Sequence, residues 1–128
     1  MNGINLKKYL LDTNSIIYAI NNSFVFPQYQ YYFSIITEIE LLSFSKLTKE
    51  DSDLIKLALS NFESININDG IKATTIKIRK NNKIKLPDSI IIATSLKQDA
   101  ILVTSDKQLL NSDLVKTIEL KDLKNSVE

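Results

Sequence analysis

Short apolar segments alternate with longer amphipathic segments along the chain, and this alternation constrains the fold more than any other feature of the sequence. The runs YLL, ending at residue 11, and AILV, ending at residue 103, lack the polar alternation of a half-exposed strand. Strands that alternate with helices favour a parallel sheet with right-handed crossover connections. We therefore predict an α/β protein in which a small parallel β-sheet is flanked by helices. The length of 128 residues predicts one domain, residues 1–128.

Turn residues and changes of periodicity set the predicted boundaries. The predicted strands cover residues 6–11, 31–36, 63–68, 100–105 and 115–120, and the predicted helices cover residues 13–20, 37–44, 47–62, 69–82 and 87–97. Thr48 is the expected N-cap of the third helix, with Leu54, Leu57 and Ala58 as its apolar stripe. Pro87 fits the first turn of the fifth.

Two missing residue types exclude several classes of chemistry. The chain contains no cysteine, which excludes disulfides, thiolate nucleophiles and zinc–sulfur sites. It also contains no histidine, so Ser-His triads and imidazole metal ligands are excluded. Any catalysis must use carboxylates, hydroxyls, lysines or a hard metal ion. No apolar run approaches the ~20 residues that span a bilayer, and no signal peptide is visible, so we expect a cytoplasmic protein without a membrane partner.

Four acidic residues lie where predicted helices begin. Asp12 and Asp106 follow predicted strands, Asp88 follows Pro87, and Glu40 is expected in the first turn of its helix. Ligands of open parallel sheets bind beyond the carboxyl ends of the strands. We therefore expect the four side chains to approach one another at that edge.

Helix capping is the simpler explanation for each acid taken alone. Aspartate is a favoured N-cap, and Thr37 with Glu40 matches a capping box. Capping does not explain four acids together, because two like charges about 4 Å apart repel by about 4 kcal/mol at an effective dielectric constant near 20. A bound cation would relieve this repulsion, and all-oxygen ligands select Mg²⁺ or Mn²⁺. Such an ion is suited to hydrolysis of a phosphodiester.

The motifs around these acids resemble those of the PIN-domain ribonucleases, and in particular the VapC-type toxins of toxin–antitoxin systems. The matching stretches are YLLDTNSII, SIITEIELL, LPDSIIIATSL and AILVTSDKQL, which together extend over nearly the whole chain. The resemblance implies a PIN-like three-layer fold and Mg²⁺- or Mn²⁺-dependent endoribonuclease activity. It assigns the catalytic and metal-binding positions to Asp12, Glu40, Asp88 and Asp106. Glu38 is excluded because the family pattern places its glutamate three residues after the threonine.

The resemblance also implies supporting residues and partners. Thr13, Asn14 and Thr104 lie beside the acids, where they would position the acids, a water or a phosphate, although local turn or cap bonds explain them equally well. The last motif departs from many relatives, because TSDKQLL lacks the usual asparagine and aromatic residue. A homodimer and a cognate antitoxin that blocks the site are further implied.

A basic stretch precedes Asp88 in the sequence. Its candidate RNA-binding residues are Lys77, Arg79, Lys80, Lys83 and Lys85. These cations would guide an RNA strand toward the acids, whereas the default explanation is a solvated helix face. The aromatic residues Tyr29, Tyr31, Tyr32 and Phe33 fit core or dimer packing better than base stacking.

Three alternatives to a toxin nuclease stay open at this stage. A housekeeping RNA-processing nuclease of the same fold would have the same motifs. A non-catalytic scaffold that binds RNA or protein would keep the fold but not need all four acids. Phosphoryl transfer through an aspartyl phosphate on Asp12 would need a second aspartate two residues later, where the chain has Asn14.

Overall fold

The structure is a computed structural model that describes residues 6–124. Within that range the strands are β1 (Lys8–Leu11), β2 (Gln30–Ser34), β3 (Glu63–Ile65), β4 (Ile101–Val103) and β5 (Thr117–Ile118). The α-helices are α1 (Thr13–Asn21), α2 (Ile35–Leu42), α3 (Lys49–Leu59), α4 (Asp69–Asn81), α5 (Leu86–Gln98) and α6 (Lys107–Leu110). A short 3₁₀ turn at Leu120–Asp122 is the last element of the described part. No helix in residues 6–124 is long and apolar enough to cross a membrane.

The five strands form one parallel sheet in the order β3-β2-β1-β4-β5. Strand β1 is central, with Tyr9 opposite Tyr31 of β2 and Ile101 of β4. Its burial on both faces explains the uninterrupted apolar run at its end, because neither face meets water. The predicted parallel α/β architecture is confirmed.

Two apolar clusters cover the two faces of the sheet. Leu11 belongs to the cluster formed with α1, α2 and α3, and Leu10 belongs to the cluster formed with α4 and α5. Neighbouring strand residues point to opposite faces, so adjacent leucines serve opposite layers. Helix α5 is buried continuously from Ser89 to Ser95, which makes it the most enclosed helix of the described part. The result is the predicted helix–sheet–helix arrangement of three layers.

The aromatic residues of the second strand region pack inside the protein. Tyr32 and Phe33 are 7% and 3% exposed. The rings of Tyr9 and Tyr31 stack with centroids 5.8 Å apart, and Tyr29 meets Tyr9 edge-on at 5.2 Å. The preference for core packing over base stacking is therefore confirmed for this group.

Two local predictions are wrong. Helix α2 begins at Ile35, because Ser34 accepts a hydrogen bond from the Ile36 backbone N–H and caps the helix three residues before Thr37. In α3, Thr48 is the N-cap as predicted, but the buried residues are Ile55 and Leu59.

The predicted apolar stripe of α3 therefore faces solvent in part. Leu54 and Leu57 are 54% and 66% exposed, and Ala58 is half-buried. Both sets of residues fit helical spacing, so periodicity alone did not decide which one faces the sheet.

Candidate metal centre

Asp12 occupies the junction between the central strand and α1. Its backbone N–H donates to the carbonyl of Val103 at 3.2 Å, so the end of β1 is tied to the end of β4. Its Oδ1 accepts from the Ser15 backbone N–H at 2.8 Å and caps α1. The side chain is 6% exposed. The capping explanation is thus correct for this residue, but the cap uses only one of the two carboxylate oxygens.

Asp106 follows β4, which is the neighbour of β1 in the sheet. Its Oδ1 accepts from the backbone N–H groups of Gln108 and Leu109, at 2.8 and 3.3 Å, and caps α6. Its own N–H donates to Thr104 Oγ1 at 3.1 Å. Thr104 is fully buried and also hydrogen-bonds the Asp12 carboxylate. One threonine therefore links the two acids that leave adjacent strands.

Glu40 lies in the second turn of α2, so its predicted place in the first turn is wrong. The expected capping box with Thr37 is also wrong, since α2 starts earlier. Instead, Thr13 Oγ1 donates to Glu40 Oε1 at 2.6 Å and lies 3.3 Å from the Thr37 hydroxyl oxygen. Thr37 is fully buried. A chain of two threonines from different helices thus holds the Glu40 carboxylate.

Asp88 lies in the first turn of α5, two residues into the helix. The N-cap position of that helix is Lys85, whose side chain makes no capping hydrogen bond, and Pro87 is in the first turn as predicted. The negative charge of Asp88 at this end is favourable for the helix dipole.

The four acids, which arise from four separate elements, line one cavity of about 440 Å³. Its lining is completed by Thr13, Asn14, Ile17, Ser43, Phe44, Ile91 and Leu109. The expectation that the acids meet at the carboxyl edge of the sheet agrees with this cavity. A larger cavity of about 930 Å³ lies at the opposite edge, beside Lys7, Lys8 and Lys116, and none of the four acids lines it.

Burial and mutual repulsion perturb two of these carboxyl groups. Burial raises the pKa of Asp12, the charge of Asp106 adds to the increase, and hydrogen bonds from Thr104 and Ser15 oppose it. Burial also raises the pKa of Asp88, and the charges of Asp106, Glu40 and Asp12 raise it further. The acids are therefore close enough to oppose one another's ionisation, as a cation site without its cation would be.

The donor chemistry suits a hard cation, but the side chains do not form a finished coordination shell. All four acids offer oxygen, which Mg²⁺ and Mn²⁺ prefer. Within residues 6–124, however, no group of three acidic side chains is placed to hold a metal ion in this conformation. Binding an ion would thus require carboxylate side chains to rotate toward one another across the cavity.

The five candidate RNA-binding cations are exposed, and none lines the carboxylate cavity. Lys85 is the one whose charge reaches the acids, because it lowers the pKa of Asp88 against the larger upward effects. Lys77, Arg79 and Lys80 lie on α4 or its last turn, and Lys83 lies in the connection to α5.

Two residues of this region were not predicted from the sequence. Thr37 was interpreted as a helix cap, and its buried hydroxyl next to Thr13 depends on the packing of α1 against α2. Phe44 was not considered, because an aromatic residue after an apolar helix resembles an ordinary core position. It is 56% exposed at the cavity.

Comparison with known proteins agrees with this architecture. A toxin–antitoxin complex from Klebsiella pneumoniae is 28% identical, with a TM-score of 0.70 over 86% of this chain and 95% of that one. VapBC-1 from nontypeable Haemophilus influenzae is 25% identical, with a TM-score of 0.71 over 88% and 97%. VapBC2 from Rickettsia felis, bound to a DNA fragment from its promoter, is 22% identical, with a TM-score of 0.74 over 88% and 98%.

No sequence among the curated proteins is significantly similar to this chain. The family model of the PIN domain, in contrast, matches residues 9–113, which include all four acids. The match extends over well more than half of the chain and over every strand of the sheet except β5 and the first residue of β1. The chain therefore belongs to the PIN domain family.

Proposed function

We propose that the protein is a Mg²⁺- or Mn²⁺-dependent endoribonuclease and the toxin of a toxin–antitoxin pair. The observation that carries this proposal is the cavity shared by Asp12, Glu40, Asp88 and Asp106. Four helix caps would not need to face one cavity. Four carboxylates that meet without a basic partner among them are instead typical of a site built for a cation.

The ion would be held by the four carboxylates after they rotate inward. When bound, a divalent ion orients a water and neutralises charge on a phosphodiester. The raised pKa values of Asp12 and Asp88 support this assignment, because an ion would remove the repulsion that causes part of the increase. The absence of histidine from the chain is compatible with chemistry of this kind.

Hydrogen bonds from neighbouring residues would position the carboxylates for this chemistry. The backbone bond from Asp12 to Val103 and the Thr104 hydroxyl fix the two acids at the ends of β1 and β4. Thr13 orients Glu40 through its 2.6 Å hydrogen bond. Asn14 lines the cavity beside them, and we propose that its amide contacts a phosphate or a water. These contacts hold Asp12, Glu40 and Asp106 beside the cavity before an ion binds, and such positioning is the main contribution that a scaffold makes to this chemistry.

Cations near the acids would offset their repulsion of RNA. Lys85 is the best placed, since its charge acts on Asp88. Lys83 lies two residues earlier, with its carbonyl accepting from the Gln108 side chain at 3.2 Å. We propose that these two lysines contact the phosphate backbone near the site, and that Lys77, Arg79 and Lys80 extend the contact along α4.

The proposal includes an antitoxin and a homodimer. Its support is that the similar structures from Klebsiella pneumoniae and Haemophilus influenzae are toxin–antitoxin and VapBC structures. Leu54 and Leu57 on α3 are exposed apolar side chains available for protein contacts. We place the activity in the cytoplasm, where RNA is present. The molar mass in solution, measured by light scattering, tests the homodimer.

The function is tested by expressing the wild type and Asp12→Asn in cells and mapping new RNA 5′ ends shortly after induction. Asp69→Asn is the matched control, because Asp69 is a fully exposed acid at the start of α4, outside the cavity. We expect growth arrest and discrete cuts with the wild type and with Asp69→Asn, and neither with Asp12→Asn. Purified wild type should cut the mapped RNA with Mg²⁺ and stop when a chelator is added.

Three results would count against the proposal. Soluble, folded wild type that gives no new RNA ends in cells and no cleavage with Mg²⁺ would indicate a binding scaffold. Equal RNA binding with and without the ion would support the same alternative. Cleavage that persists in Asp12→Asn would show that the carboxylate cavity is not the active site.

A further inference from the structure

Phe44 is an aromatic residue that the fold leaves exposed at the edge of the carboxylate cavity. Its side chain is 56% exposed and lines the same cavity as the four acids. Within residues 6–124, the ring-to-ring contacts connect other aromatic residues, and Phe44 takes part in none of them. The apolar core therefore does not account for its position.

The backbone holds Phe44 in a defined place relative to Glu40. Ser43 ends α2 with helical dihedral angles, and its N–H donates to the Glu40 carbonyl at 3.3 Å. The Phe44 carbonyl in turn accepts from the Leu47 N–H at 3.1 Å. Phe44 is the first residue after the C-cap of α2, and it lines the same cavity as Glu40.

The cavity consequently has two chemical parts. One part is acidic and is formed by the four carboxylates. The other is apolar and is formed by Phe44 together with Ile17, Ile91 and Leu109. A nucleotide has the same two parts, a charged phosphodiester and a flat base with an apolar face. When the phosphodiester lies at the acids, a base attached to it would meet the Phe44 ring, because the ring and the acids line the same cavity.

We propose that Phe44 is a stacking platform for an unpaired base next to the phosphodiester that the acids act on. This inference rests on the proposed ribonuclease function and adds a requirement to it: the RNA must be single-stranded at the cleavage point. A base inside a duplex already has both faces covered by its neighbours, so it cannot stack on a protein ring without leaving the helix. Phe44 is therefore a specificity residue that selects loops and unpaired strands.

A protein side chain is the other conceivable occupant of this apolar part. The geometry favours the base, because Phe44 lines the cavity whose four acids would act on the phosphodiester. A surface that contacts only protein needs no carboxylates beside the ring. Two other exposed apolar side chains, Leu54 and Leu57, do not line the cavity and carry no such expectation.

The test measures RNA binding in the absence of cleavage. Binding is followed by fluorescence anisotropy of a short, unstructured, mixed-sequence RNA with Mg²⁺, using Asp12→Asn as the background so that the RNA stays intact. Phe44→Leu removes the aromatic face and keeps an apolar side chain, and Phe44→Trp keeps a ring. A stacked base contributes about 1–3 kcal/mol, so we expect Phe44→Leu to weaken binding about five-fold or more and Phe44→Trp to retain it.

Two controls isolate the stacking contact. A ribose–phosphate strand without bases should bind equally to Phe44→Leu and to the parent protein, because there is no base to stack. Val25→Ala shortens an apolar side chain that is 86% exposed and does not line the cavity, and it should leave RNA binding unchanged. Annealing the RNA to its complement should weaken binding to the parent protein and abolish the difference made by Phe44→Leu.

The stacking proposal and the nuclease proposal fail in different ways. Equal affinity of Phe44→Leu and its parent for base-bearing RNA overturns stacking and leaves the ring to a protein contact, even if the wild type cleaves RNA. An equal loss on the strand without bases overturns it as well, because the ring would then act through the fold. Base-dependent binding through Phe44 by a wild type that never cleaves RNA supports stacking and refutes the nuclease. Absence of RNA binding from both the Asp12→Asn parent and the wild type refutes both.

Discussion

Asp12→Asn should stabilise the metal-free protein while abolishing its activity. The buried carboxylate has a raised pKa, so its ionised form destabilises the fold at neutral pH. Asparagine is as good an N-cap as aspartate and keeps an acceptor for the Ser15 N–H. We therefore expect the unfolding free energy of Asp12→Asn to exceed that of the wild type, by an amount on the order of 1 kcal/mol, which is the usual size of a single-substitution effect.

Asp12→Ala separates the charge from the cap. It removes the same buried charge as the asparagine variant but also removes the acceptor for the Ser15 N–H. Losing an N-cap costs about 1 kcal/mol, so the alanine variant should be less stable than the asparagine variant by about that amount. The two opposing effects should place the alanine variant near the wild type.

The stability difference should depend on pH in one direction. Below the ordinary carboxyl pKa of 3.8, Asp12 is protonated in the folded and unfolded states, and its raised pKa causes no loss of stability. As the pH rises through the folded-state pKa, the folded wild type must ionise a buried group and loses stability. The asparagine variant does not ionise. The advantage of Asp12→Asn should thus be absent in acid and reach a plateau toward neutral pH.

Urea unfolding followed by circular dichroism, in the presence of a chelator, measures this difference across the pH range. With a urea dependence of about 1–3 kcal/mol per molar, a 1 kcal/mol change moves the midpoint by about 0.3–1 M. Adding Mn²⁺ should stabilise the wild type and not the variant, since the ion binds only the folded site. Asp69→Asn should behave like the wild type. A variant that is less stable than the wild type by about 1 kcal/mol at neutral pH, without metal, would refute the reasoning and make Asp12 a purely structural cap.

Two further predictions follow from the contacts around the cavity. Thr37→Val removes the hydroxyl next to Thr13, so calorimetry should show several-fold weaker Mn²⁺ binding with little change in stability. Thr37→Ser should restore the Mn²⁺ affinity. An unchanged affinity of Thr37→Val would show that Thr37 does not position Glu40. Neutralising Lys80, Lys83 and Lys85 to glutamine should reduce the salt slope of single-stranded RNA binding by about two, at about 0.7 per phosphate contact; an unchanged slope would return these lysines to an ordinary solvated face.

The sequence predicted the positions of Asp12 and Asp106 because they depend on topology alone. Both follow apolar runs that read as buried strands, and parallel strands end at the same edge of a sheet. The position of Asp88 at the same cavity was predicted because this residue lies in the first turn of a helix. The ligand roles of the four acids stay predictions, since they depend on an ion.

The position of Glu40 in the second turn of α2 could not be predicted, because the run YYFSII shows no change of periodicity where the strand ends and the helix begins. The structure divides it at Ser34, whose hydroxyl caps α2, so Glu40 moves from the first to the second turn. Its partner Thr13 is 27 residues away in sequence, a contact that only packing of α1 beside α2 creates. A helix start was predicted at Asp106, but the bounds of α6 were not, because this helix is four residues long and shows no periodicity.

The sheet order has a consequence for the synthesis of the protein. Strand β1 is made early but lies at the centre, with its neighbour β4 contributed by residues 101–103. Asp106, which follows β4, is the last of the four acids to leave the ribosome, and Asp12 has no strand beside it on that side until then. A nascent chain, or one shortened before β4, thus contains three of the acids without the edge that gathers them. The carboxylate cavity is therefore incomplete until the segment that carries Asp106 has been made.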